Sequence, residues 1–365
     1  MAGMWSFPVV ALVSLVLVSS SAIAHNDFHS WLENNKAMYE ARMGQIANGI
    51  NVTMEDALAV AENGTKVLVV CKDGSCDYGT LQAAVDSIPV GNTQRYILKI
   101  KPGLYKEKVN VPRTKPFVTF LGDPINMPTI SYNGNSAKYG TWNSATVIVE
   151  ADYFIAMNVI FENSSPRPKD GEEGQAVALR ISGDKAAFYR CRFIGFQDTL
   201  CDDVGRHLFK NCFIQGTVDF IFGAARSLYS NCEINSVATG RTAITAQARS
   251  SESDEGGFSF VNCKITGTGQ ATLSRAWRKY SRVIFARTYM GNLIDKLGWD
   301  NHGYTDRDQT VFYGEYQCFG PGATMDGRVP YAKKLRREDV KPFLDVTYIL
   351  GRTWLRTPPP FQNLN

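Results

Sequence analysis

Four short segments of this chain repeat one pattern: F-Y-R-C-R-F-I-G at 188–195, F-K-N-C-F-I-Q-G at 209–216, Y-S-N-C-E-I-N-S at 229–236 and F-V-N-C-K-I-T-G at 260–267. Their cysteines step by 21 residues from Cys191 to Cys212, by 20 to Cys232 and by 31 to Cys263. Self-similarity at such a period marks a solenoid, in which one unit cannot bury its apolar face until the next stacks on it. Each unit is mostly strand, so the expected fold is all-β, a single-domain β-helix. The long step holds a polar insert, 250–257, as a loop bulging from one coil would. An earlier segment, 156–161, carries Asn158-Val159 where later coils have Asn-Cys. Stacking of the repeats predicts a ladder of Asn211, Asn231 and Asn262, their amides bonding coil to coil, beside an inward stack of cysteines.

The cysteines are eight in number, too few for a disulfide scaffold in 365 residues. Cys191, Cys212, Cys232 and Cys263 are open to two readings, reduced core residues or disulfide partners. No paired C-x-x-C pattern suggests zinc. Cys71 and Cys76, five apart in a glycine-containing turn, are the better candidates for a bridge.

Short strands separated by Gly, Asn and Pro continue toward the N-terminus at 96–100, 118–121, 145–149 and 154–161. Before them, Thr80 is placed to cap a helix over 81–88, whose Leu81, Ala84, Val85 and Ile88 share one face and which Pro89 ends. Such a helix would lid the first coil. After Arg275 the pattern loosens into strands through 312–316, and 331–350 is expected to pack along the solenoid as irregular or helical segments. No linker divides the chain, so 66–357 reads as one β-helix domain followed by a tail at 358–365.

Residues 1–24 carry no charged side chain, hold an apolar run at 7–18 and end in Ala22-Ile23-Ala24, the pattern of a cleaved secretory signal. The run is well short of the ~20 residues a spanning helix needs, so no membrane association is expected. Residues 25–65 read as an N-terminal extension, with helical stretches at 31–43 and 54–61 and too little length for a core of its own. Sequons at Asn51, Asn63 and Asn163 fit a secreted glycoprotein. The formal net charge of +4 suits a polyanionic partner. That partner is not expected to be nucleic acid, because no basic run interleaves with aromatics and no nucleic-acid motif is present.

The chemistry concentrates at 195–223. Gln175, Gln197 and Asp219 are 22 residues apart, and Asp198 adjoins the middle member. Coils of a β-helix stack at the strand spacing of about 4.8 Å, so one small patch would hold both carboxylates and an amide. Two carboxylates this close divide into a charged and a protonated partner. The plainer reading is that Asp198 and Asp219 are turn residues. Against it, Asp219 lies among Val218, Phe220, Ile221 and Phe222, where an unpaired carboxylate is costly. It needs a cation, and Arg275 is a candidate that periodicity alone cannot place. Asp202 and Asp203, adjacent in a polar stretch, read as solvated turn residues. No G-x-S-x-G elbow and no H-E-x-x-H cluster is present, and His25, His29, His207 and His302 form no metal-binding pattern. What remains is carboxylate chemistry without a metal.

With these residues in view, the chain resembles the plant pectinesterases, or pectin methylesterases. The matching motifs are G-L-Y-K-E at 103–107, G-T-W-N-S-A-T at 140–146, Q-A-V-A-L at 175–179, G-F-Q-D-T-L at 195–200, G-T-V-D-F-I-F-G at 216–223 and R-x-W at Arg275 and Trp277. They run in family order from about residue 77 to 354, and together they are highly specific. The resemblance implies a right-handed parallel β-helix that hydrolyses the methyl esters of polygalacturonate, with no cofactor and no metal. It assigns Asp219 as nucleophile, Asp198 as the acid that later serves as base, Gln197 as oxyanion donor and Arg275 as the partner of Asp219. Gln175, Thr141, Val218, Phe222, Trp277 and Arg275 would contact substrate.

The same resemblance implies methylated pectin (homogalacturonan) as partner, a secreted monomer of the cell wall, and control by a separate protein inhibitor. Residues 25–65 are too short for the family's inhibitor-like pro-domain. Two departures stand out. Ser274 and Ala276 flank Arg275 where the family has G-R-P-W or G-R-S-W, and Cys201 replaces a frequent Tyr that would shape a cleft wall. The alternative is therefore a weakened or inactive pectin-binding β-helix. A lyase or polygalacturonase on the same fold is disfavoured.

Overall fold

The computed structural model describes residues 56–169 and 174–355. The expected signal, the helical stretch at 31–43, the Asn51 sequon and the 358–365 tail lie outside them. The chain winds as a right-handed parallel β-helix. An eleven-stranded parallel sheet runs from Lys66–Val70 to Ala332–Lys334, each strand pairing with its counterpart one coil away. A second sheet of fourteen strands comprises two columns. They merge where Glu233–Gln247 and Lys264–Ala276 run unbroken through both.

Register makes the core. Phe188, Phe209, Tyr229, Phe260 and Phe285 are successive partners across five coils. Their rings stack with centroids 4.8, 4.6, 4.4 and 4.5 Å apart and planes within 14° of parallel. Strand spacing and aromatic offset stacking want nearly the same separation, so one residue type repeats without strain.

Cys191, Cys212, Cys232 and Cys263 stack beside them as buried free thiols, which settles the choice left open by their spacing. Each later thiol donates to a carbonyl of the preceding coil: Cys212 to Phe188 at 3.5 Å, Cys232 to Phe209 at 3.3 Å and Cys263 to Tyr229 at 3.3 Å. Burial pushes the Cys212, Cys232 and Cys263 thiols well up, away from the reactive thiolate. Thr288 takes the cysteine position in the next coil, and Cys318 resumes the column beyond it with a bond to the Phe285 carbonyl. Cys71 and Cys76 are bridged, as their spacing suggested.

Three readings of the sequence need correction. Asn211, Asn231 and Asn262 are exposed, and among the described residues their amides build no ladder. Instead they sit at a corner with φ of 56°, 54° and 54°, together with Asn158, Arg190, Arg287 and Gln317. Asparagine tolerates this left-handed conformation best among side chains other than glycine. The ladder there is one of backbone bonds, from Asn211 to Ser230, Asn231 to Val261 and Asn262 to Ala286, each 3.0 Å.

Asp202 is not solvated. It is wholly buried, accepting a bond from the Tyr229 hydroxyl at 2.7 Å and pairing with His207 Nδ1 at 2.5 Å. The third correction is the Asn163 sequon, which is buried with its amide nitrogen donating to the carbonyls of Gly134, Ser144 and Val177. That amide ties two loops together and is not presented to a glycosylating enzyme; Asn63 is exposed.

The ends are capped as expected. The helix Leu81–Ser87 starts at Thr80, whose side chain accepts from the Ala83 amide, and it buries Leu81, Ala84 and Val85. Glu107 of G-L-Y-K-E accepts from the Leu81 and Gln82 amides at 2.9 and 3.0 Å, so its carboxylate meets the positive end of that helix. Before it, the helix Asp56–Glu62 brings Glu62 to the buried Arg95, 2.8 Å away. At the other end, short helical pieces such as Arg337–Val340 and Lys341–Phe343 lie along the coils. There the Tyr348 hydroxyl donates to Gly257 and the Ser259 hydroxyl to Phe343.

Candidate active site

A cleft floor follows from the pairing of consecutive strands. Leu179–Ile181, Leu200–Asp202, Ile221–Gly223, Glu233–Gln247, Lys264–Ala276 and Trp299–Asp300 pair in that order. Their central residues, Arg180, Cys201, Phe222, Ala246, Arg275 and Asp300, therefore form one column. Leu200 is paired with Ile221, and the residues two before them are Asp198 and Asp219. The two carboxylates thus occupy equivalent corners of neighbouring coils. Gln197 is level with Val218, and Gln175 falls one residue out of step.

Both corners are left-handed, with φ of 62° at Asp198 and 50° at Asp219. Aspartate enters this region more readily than most side chains, so the plain turn reading is correct for the backbone. It is incomplete for Asp219. That residue is 3% exposed and its carboxylate is gripped on both oxygens by Arg275, whose Nε lies 2.8 Å from Oδ1 and whose Nη2 bonds Oδ2. This is the bidentate fork that fixes a carboxylate in orientation as well as charge. Burial nevertheless pushes the Asp219 carboxyl up, Arg275 opposes that shift, and the charge of Asp300 adds to it.

Ser274 and Ala276 do not disturb the grip. Both are wholly buried and paired with Thr245 and Gln247, beyond the register shift at Val237–Arg241, and strand alternation between them turns Arg275 outward. The remaining guanidinium nitrogen, Nη1, lies 3.3 Å from His302 Nδ1, and the guanidinium carbon sits 5.2 Å from the centre of the Trp277 ring.

The glutamines are held by their oxygens. Gln197 Oε1 accepts from the Gly174 amide at 2.9 Å, and Gln175 Oε1 from the Ser136 hydroxyl at 2.7 Å. Each side chain is thereby held by its oxygen, with its NH₂ group as the remaining donor. Asp198 is buried at 8% exposure.

Around this centre, Val218 and Phe222 are half-buried and Trp277 is 46% exposed. Thr141 is half-buried and opens the turn Trp142–Ser144, whose Trp142 reaches to 6.0 Å from the Phe222 ring. Trp142, Asp300 and His302 were missed from the sequence. Trp142 was within reach, inside the G-T-W-N-S-A-T motif; the other two carry no signal in their spacing. Cys201 does not form a cleft wall. It is wholly buried beneath Phe222 with Ala145, Ile148 and Val177, and burial holds its thiol well above the range of a nucleophile.

Residues 67–352 match the pectinesterase family model. The chain belongs to the pectinesterase family. It is 46% identical to probable pectinesterase 50 of Arabidopsis thaliana over 335 residues, covering 91% of this chain and 90% of that one. Among solved structures it is similar to a pectin methylesterase from carrot, with a TM-score of 0.74 and 34% identity over 79% of this chain and 94% of the other. A pectin methylesterase from Aspergillus niger gives a TM-score of 0.68 at 31% identity, again covering 79% and 94%. In this pectinesterase Asn163 fastens the G-T-W-N-S-A-T loop, through Ser144, to the Q-A-V-A-L segment, through Val177. Two motifs distant in sequence are thereby set on one side of the cleft.

Proposed function

We propose that this pectinesterase removes methyl groups from homogalacturonan by a two-step aspartyl mechanism. The observation that carries the proposal is the bidentate Arg275–Asp219 pair, its carboxylate buried in the cleft floor at the same level as Asp198. A carboxylate that is oriented, desolvated and paired is primed for attack on an ester carbon.

Asp219 adds to the methyl-ester carbonyl, and the negative charge that develops on oxygen is received by the amide N–H groups of Gln197 and Gln175. A preorganised donor of this kind is worth about 3 kcal/mol in the transition state. Collapse of the tetrahedral species breaks the bond to the methoxy group, which leaves as methanol with the proton of Asp198. The acyl-enzyme, an anhydride on Asp219, is then attacked by water that gives its proton back to Asp198. The products are a galacturonate carboxylate and free Asp219. Trp142, Phe222 and Trp277 offer apolar faces to the sugar rings on either side.

Secretion to the cell wall, led by residues 1–24, belongs to the same reading, as do a monomeric state and control by a separate protein inhibitor. The test is methanol release from methylated pectin with polymer length followed in parallel. The parent should release methanol from chains of unchanged length, and Asp219→Ala should lose at least about a thousandfold in kcat. Robust turnover in that variant refutes the mechanism. Pectin binding without turnover in the parent favours the non-catalytic alternative, and chain shortening points to depolymerisation.

A further inference from the structure

We infer that His302 is a positioning residue for the esterase reaction: its neutral imidazole accepts a hydrogen bond from Arg275 and holds the guanidinium fork against Asp219. The inference rests on the proposed mechanism for its kinetic consequences and on geometry alone for its structural ones.

Two nitrogens of Arg275 are committed to Asp219, and the third, Nη1, faces His302 Nδ1 at 3.3 Å. A guanidinium has only donors. The contact is attractive when Nδ1 carries a lone pair, with the ring proton on Nε2, and repulsive when Nδ1 is protonated.

The imidazole is placed there by its surroundings. His302 adopts φ of 60°, and its backbone N–H donates to Asp300 Oδ1 at 2.6 Å. Asp300 is itself the ladder partner of Arg275. The His302 ring lies between Trp277, at 5.5 Å, and Tyr304, at 6.0 Å. Arg307 covers Tyr304 at 3.9 Å and is anchored on the carbonyl of Ala276.

The charged groups acting on His302 are therefore Arg275 from the neighbouring strand, Arg307 from the following turn, and Asp300 from the end of the strand that precedes it. Two cations oppose one carboxylate that is already engaged by a backbone N–H. Partial burial, Arg275 and Arg307 hold the imidazole below its ordinary value, and Asp300 opposes them. At neutral pH the ring is an acceptor. On acidification it becomes a cation against Arg275, and the fork loses its third support.

Two substitutions separate this role from that of a sugar-stacking wall. His302→Asn keeps an acceptor near the Nδ1 position and cannot titrate. His302→Phe keeps the ring and loses the acceptor. A positioning role predicts that Asn supports a kcat about tenfold above that of Phe, the loss expected for one hydrogen bond to a charged group, with little difference in KM. It also predicts that the acid limb of log kcat/KM becomes shallower in His302→Asn, since one of the titrating groups that shape it is gone. The wall role predicts the reverse order, with Phe retained and Asn impaired chiefly in KM; that result, or an unaltered acid limb, overturns the inference.

A readout independent of turnover is the NMR titration of the imidazole in the parent protein, assigned by the signal missing in His302→Asn. Its midpoint should lie below the ordinary histidine value of about 6.5. A midpoint at or above that value defeats the inference even if methanol release is normal. A depressed midpoint in a protein that releases no methanol counts against the proposed function and leaves the His302–Arg275 contact standing.

Discussion

Asp219 must carry charge where burial disfavours it, and two neighbours pull its proton affinity in opposite directions. Arg275 lowers it through the fork and Asp300 raises it through like charge. Asp300→Asn isolates the second effect, because an asparagine Oδ1 can still accept from the His302 backbone N–H. Removing the negative charge lowers the folded pKa of Asp219. It also lowers that of His302, which Asp300 raises. The acid limb of kcat/KM should therefore move to lower pH; a shift toward higher pH would contradict these assignments. Such coupling is invisible in the letters. The need of Asp219 for a cation was legible from its apolar flanks and named Arg275, but the two are 56 residues apart, and the insert at 250–257 breaks the count between them. His302 lies past the last regular repeat, so nothing in the sequence placed it beside Arg275.

At the scale of the coil, the repeat carried its message through shape rather than through side-chain bonding. Phe and Cys were read as inward from their period, and they are inward because each matches the strand spacing. Asn was read as a ladder former, and its role is to accept a positive φ at a corner where the Arg190 and Arg287 coils do the same with another residue. Burial of Asp202 was not legible, because its partners His207 and Tyr229 come from a later part of the same coil and from the next coil. That trio gives the core a pH dependence. Burial lowers the His207 proton affinity, but the Asp202 charge and bond, with the Gly183 carbonyl and the charge of Asp184, outweigh it, and the folded value lies above the ordinary one. The sign follows: the stabilisation is fully present below the unfolded value of about 6.5 and is lost as pH rises through the raised folded value. Thermal midpoints of the parent should fall across that window, and His207→Gln should melt lower overall with a flatter pH dependence. An equally steep dependence in the variant would remove His207 as the cause.

Over the whole molecule, contacts run from each coil to the next, so stability is close to a sum of local coil and nearest-neighbour terms. The N-terminal end tests this. Arg95 is 1% exposed; its Nε is paired with Glu62 at 2.8 Å, and its Nη1 donates to the Thr119 hydroxyl and the Tyr153 carbonyl. Glu62 supplies the neutralising charge and comes from the helix Asp56–Glu62, which precedes the first strand. Glu62→Ala leaves a buried cation without its counter-ion, a loss of about 3–5 kcal/mol. In a solenoid that loss acts at the end where it is made. Amide hydrogen exchange should quicken in Lys66–Val70, Tyr96–Ile100 and Val118–Leu121, the first three strands of the long sheet, and remain near parental in Ile221–Gly223 and the strands beyond it. Methanol release should then survive at temperatures where those first coils already exchange freely, since Asp198, Asp219 and Arg275 lie several coils away. Uniform acceleration of exchange through all coils would show instead that the β-helix opens as one cooperative body, with the Arg95–Glu62 pair contributing to the stability of the whole.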